Sequence, residues 1–453
     1  MRPCVRLASC LLAASLAAAC RSEPKEGPKD VAAAAPVPSA PTAPDAGAAQ
    51  KPEPKSAFRP PYNVLLLMID SLRADMPWAG YPRDVAPRLT ALAKQWVVYP
   101  RAYSLSSYTA KSVVPALAGM YPSEMPRDAF FFTRWPEENL LLSEVARDAG
   151  VRTLAGHGHG YFMRGLGVEQ GFDDYRLLPG TFLDPTGVHD VNSERLNRLA
   201  KEMLSDPKNV DQKDGRRFFA YYHFLDPHHT YHKHRGHPDF GNQPRDLYDN
   251  EVHFTDKWVG DLIDFVLAAP WGDDTAIVIT ADHGEGFGER GRFRHAYDVW
   301  ESLVRVPLLI RVPGAAPRRI EIPRGHIDLA PTLLELLGVK APPGLRGHSL
   351  VGEMFGETAA PRPVLVDLPR CDLMDRRRAF VDGKHKLIVF GDEKAFELFD
   401  VVADPAEERD LKAEQPALFE AMQQKYRSLA AKIPDVPVVG PGKLLGAPPG
   451  QRY

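Results

Sequence analysis

The chain has 453 residues, of which 44% are hydrophobic and 25% charged, and its formal net charge is -3. Such a composition is typical of a globular protein with one large domain, or with a large and a small one. Because the charge is nearly balanced and no run of like charges dominates, it excludes a surface built to bind nucleic acid.

The N-terminal segment is typical of an export signal. Arg2 and Arg6 precede an apolar run over residues 7–19 that is too short to span a bilayer as a mature helix. The stretch "SLAAAC", which ends at Cys20, resembles a bacterial lipobox. The resemblance implies cleavage before Cys20 and lipidation of its thiol, and a plain secretory signal cut nearby is the alternative. We therefore predict an exported protein, lipid-anchored to the bacterial membrane in the periplasm or at the cell surface.

Residues 20–60 are rich in Ala and Pro and have no apolar periodicity, so we predict a disordered tether. The folded part is predicted over residues 61–358 and 359–435, with a tail over residues 436–453. A lipidated Cys20 would leave Cys371 without a disulfide partner, so the domain must be stable without a disulfide.

Three apolar runs predict buried central strands of an α/β fold with a large, mostly parallel sheet. The run "YNVLLLMID" ends at Asp70, "FFAYYHFLDPHH" passes Asp226, and "DTAIVITADHGEG" reaches Asp282 and His283. Sites in open α/β sheets gather at the carboxyl ends of strands. The three runs therefore predict one convergent site at that edge of the sheet.

Amphipathic patterns between these runs predict helices that flank the sheet. They cover residues 85–96, 141–150, 248–269 and 326–342. Near Val364 the pattern changes to short antiparallel strands around an Asp382-Gly383 turn, followed by a terminal helix. We interpret this part as a small C-terminal α+β subdomain.

Several motifs carry a resemblance to a known family. "NVLLLMIDSLRAD", "SLSSYTAKSVVPALAGMYPS", "HFLDPHHTY", "ITADHGEGFGE" and "RHAYDVWESLVRVPLL" occur in this order, followed by "IDLAPTLLELLG", "LRGHSL" and "ELFDVVADPAEERDL". From Asn63 to about Leu411 the chain resembles the sulfatase family of the alkaline-phosphatase superfamily. The resemblance implies that superfamily's α/β fold and a metal-dependent hydrolase or transferase.

The resemblance implies that Asp70, Asp282 and His283 are metal ligands. Sulfatases often have two adjacent acids at the end of the first strand, whereas here Ser71 follows Asp70. With one carboxylate at that position and an imidazole nearby, we expect one divalent ion, with zinc or manganese favoured and calcium possible. The alternative is that these residues are strand-end turn and capping residues.

Thr109 matches the position of the family's nucleophile, ten residues before Gly119. Sulfatases have a Cys or Ser there, within Cys-x-Pro-Ser-Arg, and oxidise it to formylglycine. Here the positions read Thr109-Ala110-Lys111-Ser112-Val113, and threonine is not a substrate for that oxidation. Phosphoethanolamine and phosphoglycerol transferases and nucleotide phosphodiesterases of the superfamily use an unmodified Thr at this place, and "TAKSVVP" resembles the Thr-containing segment of the phosphoethanolamine transferases. A metal-held hydroxyl is a competent nucleophile, and the alternative is that Thr109 caps a helix that starts near Lys111.

Histidines supply the remaining candidate site residues. His295 and His228 match family positions that contact the substrate or its leaving group, with His229 as the neighbouring candidate. His159 and, more loosely, His157 match a segment that carries a Lys and a His in sulfatases, and Lys111 is one turn past the cap position. The roles we expect are anion contact, protonation of the leaving oxygen, or a second zinc site.

The predicted function is therefore hydrolysis or transfer on phosphate or sulfate esters through Thr109. Phosphodiester or phosphoryl chemistry is favoured because formylglycine hydrate can expel sulfate by elimination, whereas a plain alcohol cannot. A true sulfatase is one alternative, and a catalytically degenerate ligand-binding protein is another.

Overall fold

The structure is a computed structural model that describes residues 58–179, 192–211, 215–436 and 438. The predicted signal, Cys20 and nearly all of the predicted tether and tail lie outside these residues, so they stay predictions. The described residues belong to one compact unit, residues 54–453. The predicted boundary between residues 358 and 359 also stays a prediction.

Through the first three quarters of the chain, helices separate groups of one to four described strands. The strands are β1 Asn63–Ile69, β2 Val97–Val98, β3 Ala102–Tyr103, β4 Arg152–His157, β5 Asp174–Leu177, β6 Phe218–Phe224, β7 Thr275–Thr280, β8 Gly286–Phe287, β9 Phe293–Arg294, β10 Arg305–Val306, β11 Leu308–Arg311, β12 Arg318–Arg319, β13 Arg324–Gly325, β14 Val364–Leu368, β15 Arg377–Asp382, β16 His385–Phe390 and β17 Ala395–Asp400. The α-helices are α1 Pro87–Ala93, α2 Thr109–Ala118, α3 Leu142–Asp148, α4 Ser193–Ser205, α5 Pro207–Val210, α6 Pro244–Ala268, α7 Glu301–Val304, α8 Leu329–Leu336, α9 Val351–Met354 and α10 Pro416–Ala430.

Eight of the described strands form the large sheet, in the order β12-β2-β11-β7-β1-β6-β4-β5. The central strands β7, β1, β6 and β4 are parallel, and β11 is antiparallel to both of its neighbours. Every residue of β1, β6 and β7 is buried, as expected for strands covered on both faces. The predicted α/β fold with a large, mostly parallel sheet is confirmed.

The predicted helices are present, with boundaries set by local capping chemistry. α1 starts at Pro87, a residue favoured at the first helical position, and is shorter than the predicted 85–96. α6 begins four residues earlier than predicted, at Pro244, where Asp246 closes a capping box on Gln243. No helix of the described ranges is long and apolar enough to cross a membrane.

A separate antiparallel sheet, in the order β14-β15-β16-β17, confirms the predicted C-terminal strands. Asp382 pairs with His385, so the connecting turn is Gly383-Lys384, one residue later than predicted. Gly383 has φ +57, a conformation that glycine adopts without steric cost.

An ion-paired group links this sheet to the large domain. Lys386 of β16 is fully buried, and its Nζ lies 3.1 Å from Glu301 of α7 and 2.9 Å from Glu407. Burial raises the pKa of Glu407 to about 7, although the charge of Lys386 opposes the shift. The pairs therefore hold a buried lysine between two segments that are distant in the sequence.

Candidate active site and metal centre

The register of the central strands brings the first two acidic residues together. β1 and β7 are parallel with Met68 opposite Thr280, so Asp70 and Asp282, each two residues further on, leave the sheet side by side. Both side chains and that of the adjacent His283 are fully buried. The predicted convergence at the carboxyl edge of the sheet is therefore present for these residues.

Thr109 is delivered to the same place by α2. It is the first residue of the helix, and its Oγ1 lies 3.3 Å from Asp70 Oδ2 and 3.3 Å from His283 Nε2. The residue at the N-cap is Tyr108, which makes no side-chain capping bond. The alternative that Thr109 caps this helix is therefore wrong, because its hydroxyl faces the acidic cluster.

The donor atoms fit a divalent cation. One ligand-type atom each from Asp70, Asp282 and His283 lie within 4.8 Å of one another. Asp282 Oδ2 is buried and has no hydrogen-bond partner among the described residues, which is costly unless a cation neutralises it. A ligand set of two carboxylates, one imidazole and one hydroxyl suits zinc or manganese better than calcium, which prefers a shell made only of oxygen atoms.

Ser71, which stands where sulfatases often have a second acid, supports the two carboxylates. Its hydroxyl donates to Asp70 Oδ1 at 2.9 Å, and its backbone N–H donates to Asp282 Oδ1 at 3.3 Å. Ser71 therefore connects the two carboxylates through hydrogen bonds.

His223, on β6, contacts the cluster and was missed in the sequence. Its Nε2 lies 3.2 Å from Asp70 Oδ2, and its Nδ1 lies 2.7 Å from the Tyr221 hydroxyl. An ionised carboxylate only accepts, so Nε2 carries the hydrogen and Nδ1 accepts from Tyr221. The sequence shows only a histidine within an apolar run, and the pairing of His223 with Met68 of β1 is what brings it to Asp70.

The surrounding histidines keep Asp70 ionised. Burial would raise the pKa of Asp70, but the charge of His228, the hydrogen bond from His223 and the charge of His283 hold it well below its usual value. Asp70 is thus available as an anionic ligand across the physiological pH range.

Asp226 follows β6 and was predicted to join the convergent site. It lies outside the cluster, so this part of the prediction is wrong. Its carboxylate accepts from the backbone N–H of Ser193 at 2.6 Å and from that of Asn192, at the start of α4. Burial raises the pKa of Asp226 to about 7. Asp226 is a capping residue, and His223 is the residue of β6 that reaches Asp70.

His295 lies against the cluster and is oriented by a carboxylate. Its ring centroid is 4.4 Å from that of His283, and its Nδ1 lies 3.1 Å from Glu285 Oε1. The Tyr231 hydroxyl donates to the other oxygen of Glu285 at 2.7 Å. Glu285 was missed in the sequence, although it is only two residues after His283. Its carboxylate holds the hydrogen on Nδ1 and leaves Nε2 of His295 for proton exchange.

His228 and His229 point to different surroundings. The His228 ring centroid is 5.0 Å from that of His295 and 5.6 Å from that of His159, so His228 belongs to the histidine group around the cluster. His229 Nε2 instead accepts from Arg294 at 3.1 Å. Burial and the charge of Arg294 lower the pKa of His229 to about 4. The geometry favours His228 for anion contact, with His229 at the rim.

Of the two loosely matched histidines, His159 lies nearer the cluster. Its Nδ1 accepts from the backbone N–H of Tyr161 at 3.1 Å, and burial lowers its pKa to about 3. His157 is fully buried and stacks on Phe162, with ring centroids 4.2 Å apart. His159 is therefore a neutral group beside His228, and His157 packs in the aromatic core.

Lys111 lies on another face of α2. At about 100° per residue it is about 200° around the helix from Thr109. Its Nζ donates to Thr133 Oγ1 and lies 5.7 Å from the centroid of the Trp135 ring. The structure does not bring it to the cluster, which differs from the predicted anion contact. Burial, together with the charge of Arg127, lowers the pKa of Lys111 to about 7.

We expect Lys111→Met to raise the free energy of unfolding by a few kcal/mol near pH 6, where the buried ammonium is charged. In the unmodified chain this free energy should rise between pH 7 and about pH 10, because the unfolded chain then holds a proton that the folded one has lost. Urea unfolding across this range measures both effects. Lys432→Met, at an exposed lysine, is the control, and an unchanged pH slope in Lys111→Met would contradict the prediction.

The sheet and the cluster define the class of protein. It has an α/β fold of the alkaline-phosphatase type, with a candidate metal-binding site at the carboxyl edge of its central strands. Comparison with known families agrees, because a model described as "Sulfatase" matches residues 62–339, more than half of the chain. The chain belongs to the Sulfatase family, whose enzymes depend on a metal ion. A second model, "N-sulphoglucosamine sulphohydrolase, C-terminal", matches residues 288–432.

Individual relatives are distant. Choline-sulfatase of Rhizobium meliloti is 34% identical over 175 residues, which is 38% of this chain and 33% of that protein. The match thus spans about a third of that relative's length. The putative sulfatase yidJ of Bacteroides fragilis has a TM-score of 0.68 at 18% identity, covering 85% of this chain and 98% of that one. The phosphonate monoester hydrolase of Silicibacter pomeroyi has a TM-score of 0.63 at 22% identity, covering 83% and 96%. These two structures show the shared fold.

Proposed function

We propose that the protein is a metal-dependent hydrolase of phosphate or sulfate esters with Thr109 as its nucleophile, and that phosphodiesters are favoured over sulfate esters. The observation that carries the proposal is the position of Thr109 Oγ1, 3.3 Å from both Asp70 Oδ2 and His283 Nε2. Thr109 also starts α2, and the N-terminus of a helix favours a bound anion.

The chemistry of threonine favours phosphorus over sulfur as the electrophile. A sulfate ester of Thr109 could leave only by direct hydrolysis, because a plain alcohol lacks the second hydroxyl through which formylglycine hydrate eliminates sulfate. A phosphate ester of Thr109 can be hydrolysed by the same in-line route that formed it. This difference supports a phosphate ester as the substrate.

The charges around Thr109 support a substrate group with a single negative charge. Among the described residues, the side chains that lie against the cluster are imidazoles, and Arg294 adds a guanidinium that is bonded to His229 at the rim. Two buried cations nearby in the sequence are engaged elsewhere: Lys111 with Thr133, and Arg73 with Asp75 and Glu289. A phosphodiester or sulfate ester carries one charge, whereas a phosphate monoester carries two at neutral pH.

Asp70, Asp282, His283 and Thr109 would hold the divalent ion, which would lower the pKa of the Thr109 hydroxyl and neutralise charge on the ester. Thr109 Oγ, its proton lost to solvent, then forms a bond to phosphorus, and the alcohol leaves with the electrons of the broken P–O bond. His295 Nε2 gives a proton to the departing oxygen while Nδ1 remains bonded to Glu285. Water attacks next, His295 takes a proton from it, and Thr109 departs.

A substrate panel tests this proposal. The purified chain lacking residues 1–59, loaded in turn with zinc, manganese or calcium, is assayed on an aryl phosphodiester, an aryl phosphate monoester and an aryl sulfate. We expect the highest kcat/KM for the phosphodiester, with zinc or manganese. Turnover of the sulfate alone would contradict phosphoryl preference and support the true sulfatase that the family membership suggests. Metal binding without turnover of any ester would support a degenerate binding protein.

We expect His295→Ala to lower kcat by about 10² to 10³ for phosphodiesters with alkyl leaving groups, because these need protonation. The loss in the step that releases the alcohol should be small for 4-nitrophenolate, which leaves without a proton, whereas hydrolysis of the Thr109 ester should slow for every substrate. The measurement is the dependence of the pre-steady-state rate of alcohol release on the pKa of the leaving alcohol. His385→Ala is the control, since His385 lies on β16 in the C-terminal sheet. An equal loss for both kinds of leaving group would contradict the role of His295.

A further inference from the structure

Two histidines outside the candidate active site face each other through their ring nitrogens. His237 Nδ1 lies 2.8 Å from His253 Nδ1, and the two rings are nearly perpendicular, with centroids 5.0 Å apart. His237 lies in the segment of residues 225–243, which connects β6 to α6, and His253 lies within α6 itself. The pair therefore joins this connecting segment to the helix.

Both rings are neutral at physiological pH. Burial and the charge of His253 lower the pKa of His237 to about 4. Burial also lowers the pKa of His253, although the charge of Asp84 opposes the shift. A neutral imidazole carries its hydrogen on either nitrogen and offers the other one as a metal ligand. With the hydrogens on Nε2, both Nδ1 atoms would present lone pairs to the same cation.

The distance between the two nitrogens indicates which kind of metal they fit. With metal–nitrogen bonds of about 2.0 Å, a separation of 2.8 Å corresponds to an angle of about 90° at the metal. A tetrahedral zinc ion with the same bond length would hold the nitrogens about 3.3 Å apart. Angles of 90° are typical of the tetragonal geometry that Cu²⁺ and Ni²⁺ adopt with nitrogen and oxygen ligands, and Cu²⁺ binds such ligands more tightly.

The surroundings of the pair leave the other coordination positions to water. Among the described residues, no third imidazole, thiol or carboxylate has a ligand atom within 4.8 Å of both nitrogens. Asp84 is an exposed carboxylate whose charge acts on His253 and would attract a cation, whereas the charge of Lys257 acts on His237 and weakens that attraction. The pair thus differs from the candidate active site, where carboxylates and a hydroxyl surround the imidazole.

We propose that His237 and His253 form a binding site for Cu²⁺, and that the bound ion holds the segment of residues 225–243 on α6. The same segment carries His228, which belongs to the histidine group around the active-site cluster. The inference does not depend on the proposed function, because it requires no reaction at Thr109. The alternative is that the two imidazoles share a hydrogen bond and bind no metal.

Copper titration of the full chain tests the site. Cu²⁺ is added to protein that carries Asp282→Asn, so that the active-site cluster competes less for the ion. We expect electron paramagnetic resonance below one equivalent to show a tetragonal Cu²⁺ signal split by two imidazole nitrogens. Competition with a chromophoric chelator measures the affinity. His237→Ala and His253→Gln, each made in this background, should weaken copper binding at least about tenfold and remove the two-nitrogen signal.

The choice of variants separates loss of a ligand from damage to the fold. Glutamine is a good helix former, so His253→Gln should leave α6 intact. His385→Ala, at a histidine of β16, should keep both the signal and the affinity. The same signal and affinity in the His237 and His253 variants, or no binding of copper at all, would overturn the site.

Hydrogen exchange measures the proposed restraint on the segment. Amide exchange over residues 225–243, followed by mass spectrometry, should slow when Cu²⁺ is added and should not change in His253→Gln. A two-nitrogen copper signal without any slowing of exchange would overturn the restraint.

Discussion

Thr109→Ala is expected to lower kcat for an aryl phosphodiester by about 10⁴-fold or more, because the proposed reaction then has no group to form the covalent ester. Asp70, Asp282 and His283 remain in the variant, so bound metal should persist. The measurement is steady-state turnover together with metal content of the purified protein by elemental mass spectrometry.

Thr109→Ser is the matched control. It keeps the hydroxyl and should retain activity within about 10²-fold, the loss reflecting the freer rotation of serine about χ1. Mass spectrometry of the protein with Thr109, quenched during turnover, should show a phosphoryl adduct that retains the second ester group of the substrate, and this adduct should be missing in the alanine variant. Undiminished turnover in Thr109→Ala would refute the nucleophile assignment.

Asp282→Asn is expected to remove most of the bound metal and to lower turnover by about 10³-fold. The amide has nearly the same shape as the carboxylate but no charge, and the buried Asp282 Oδ2 has no hydrogen-bond partner among the described residues. Metal affinity is measured by competition with a chromophoric chelator, which does not depend on catalysis. The ligand role predicts at least a tenfold loss of affinity, since a hard anionic ligand has been replaced by a neutral one.

Asp226→Asn provides the control for this variant. Asp226 is also a buried aspartate near the end of a central strand, but its oxygens accept backbone N–H groups of Asn192 and Ser193. We expect the Asp226 variant to keep its metal affinity, with any effect confined to stability. Similar loss of metal in both variants would show that metal binding depends on general damage to the sheet edge and not on Asp282.

The central fold could be predicted because its signals are local. β1, β6 and β7 are continuous apolar runs. Asp70 follows β1 and Asp282 follows β7, so their carboxylates lie next to each other once the two strands are parallel. Helix ends were less predictable. Residues 326–342 read as one helix, but they contain a short 3₁₀ turn and α8, which ends at Leu336 before Gly338 at φ +68.

The parts of the site that were missed depend on the pairing of strands and on side-chain direction. His223 lies within an apolar run, as a core residue would. Only the strand register, which pairs His223 with Met68, brings it next to Asp70. Asp226 and Asp282 look alike as residues beyond apolar runs, yet one caps α4 and the other joins the cluster. Lys111 follows Thr109 closely in sequence, but the turn of the helix points it toward Thr133. Such directions follow from the assembled structure and not from spacing alone.

The buried Lys386 has a consequence for recombining this chain with its relatives. Its two carboxylate partners, Glu301 and Glu407, lie on opposite sides of β16 in the sequence, and Glu301 belongs to the large domain. A chimera that replaced residues 359–435 with the matching part of a relative without the lysine would remove both Lys386 and Glu407. The buried Glu301 would then keep Arg305, at 3.9 Å, as its charged partner and the hydrogen bond from the Tyr103 hydroxyl. We expect such a chimera to be less stable than one in which the C-terminal sheet is exchanged together with α7.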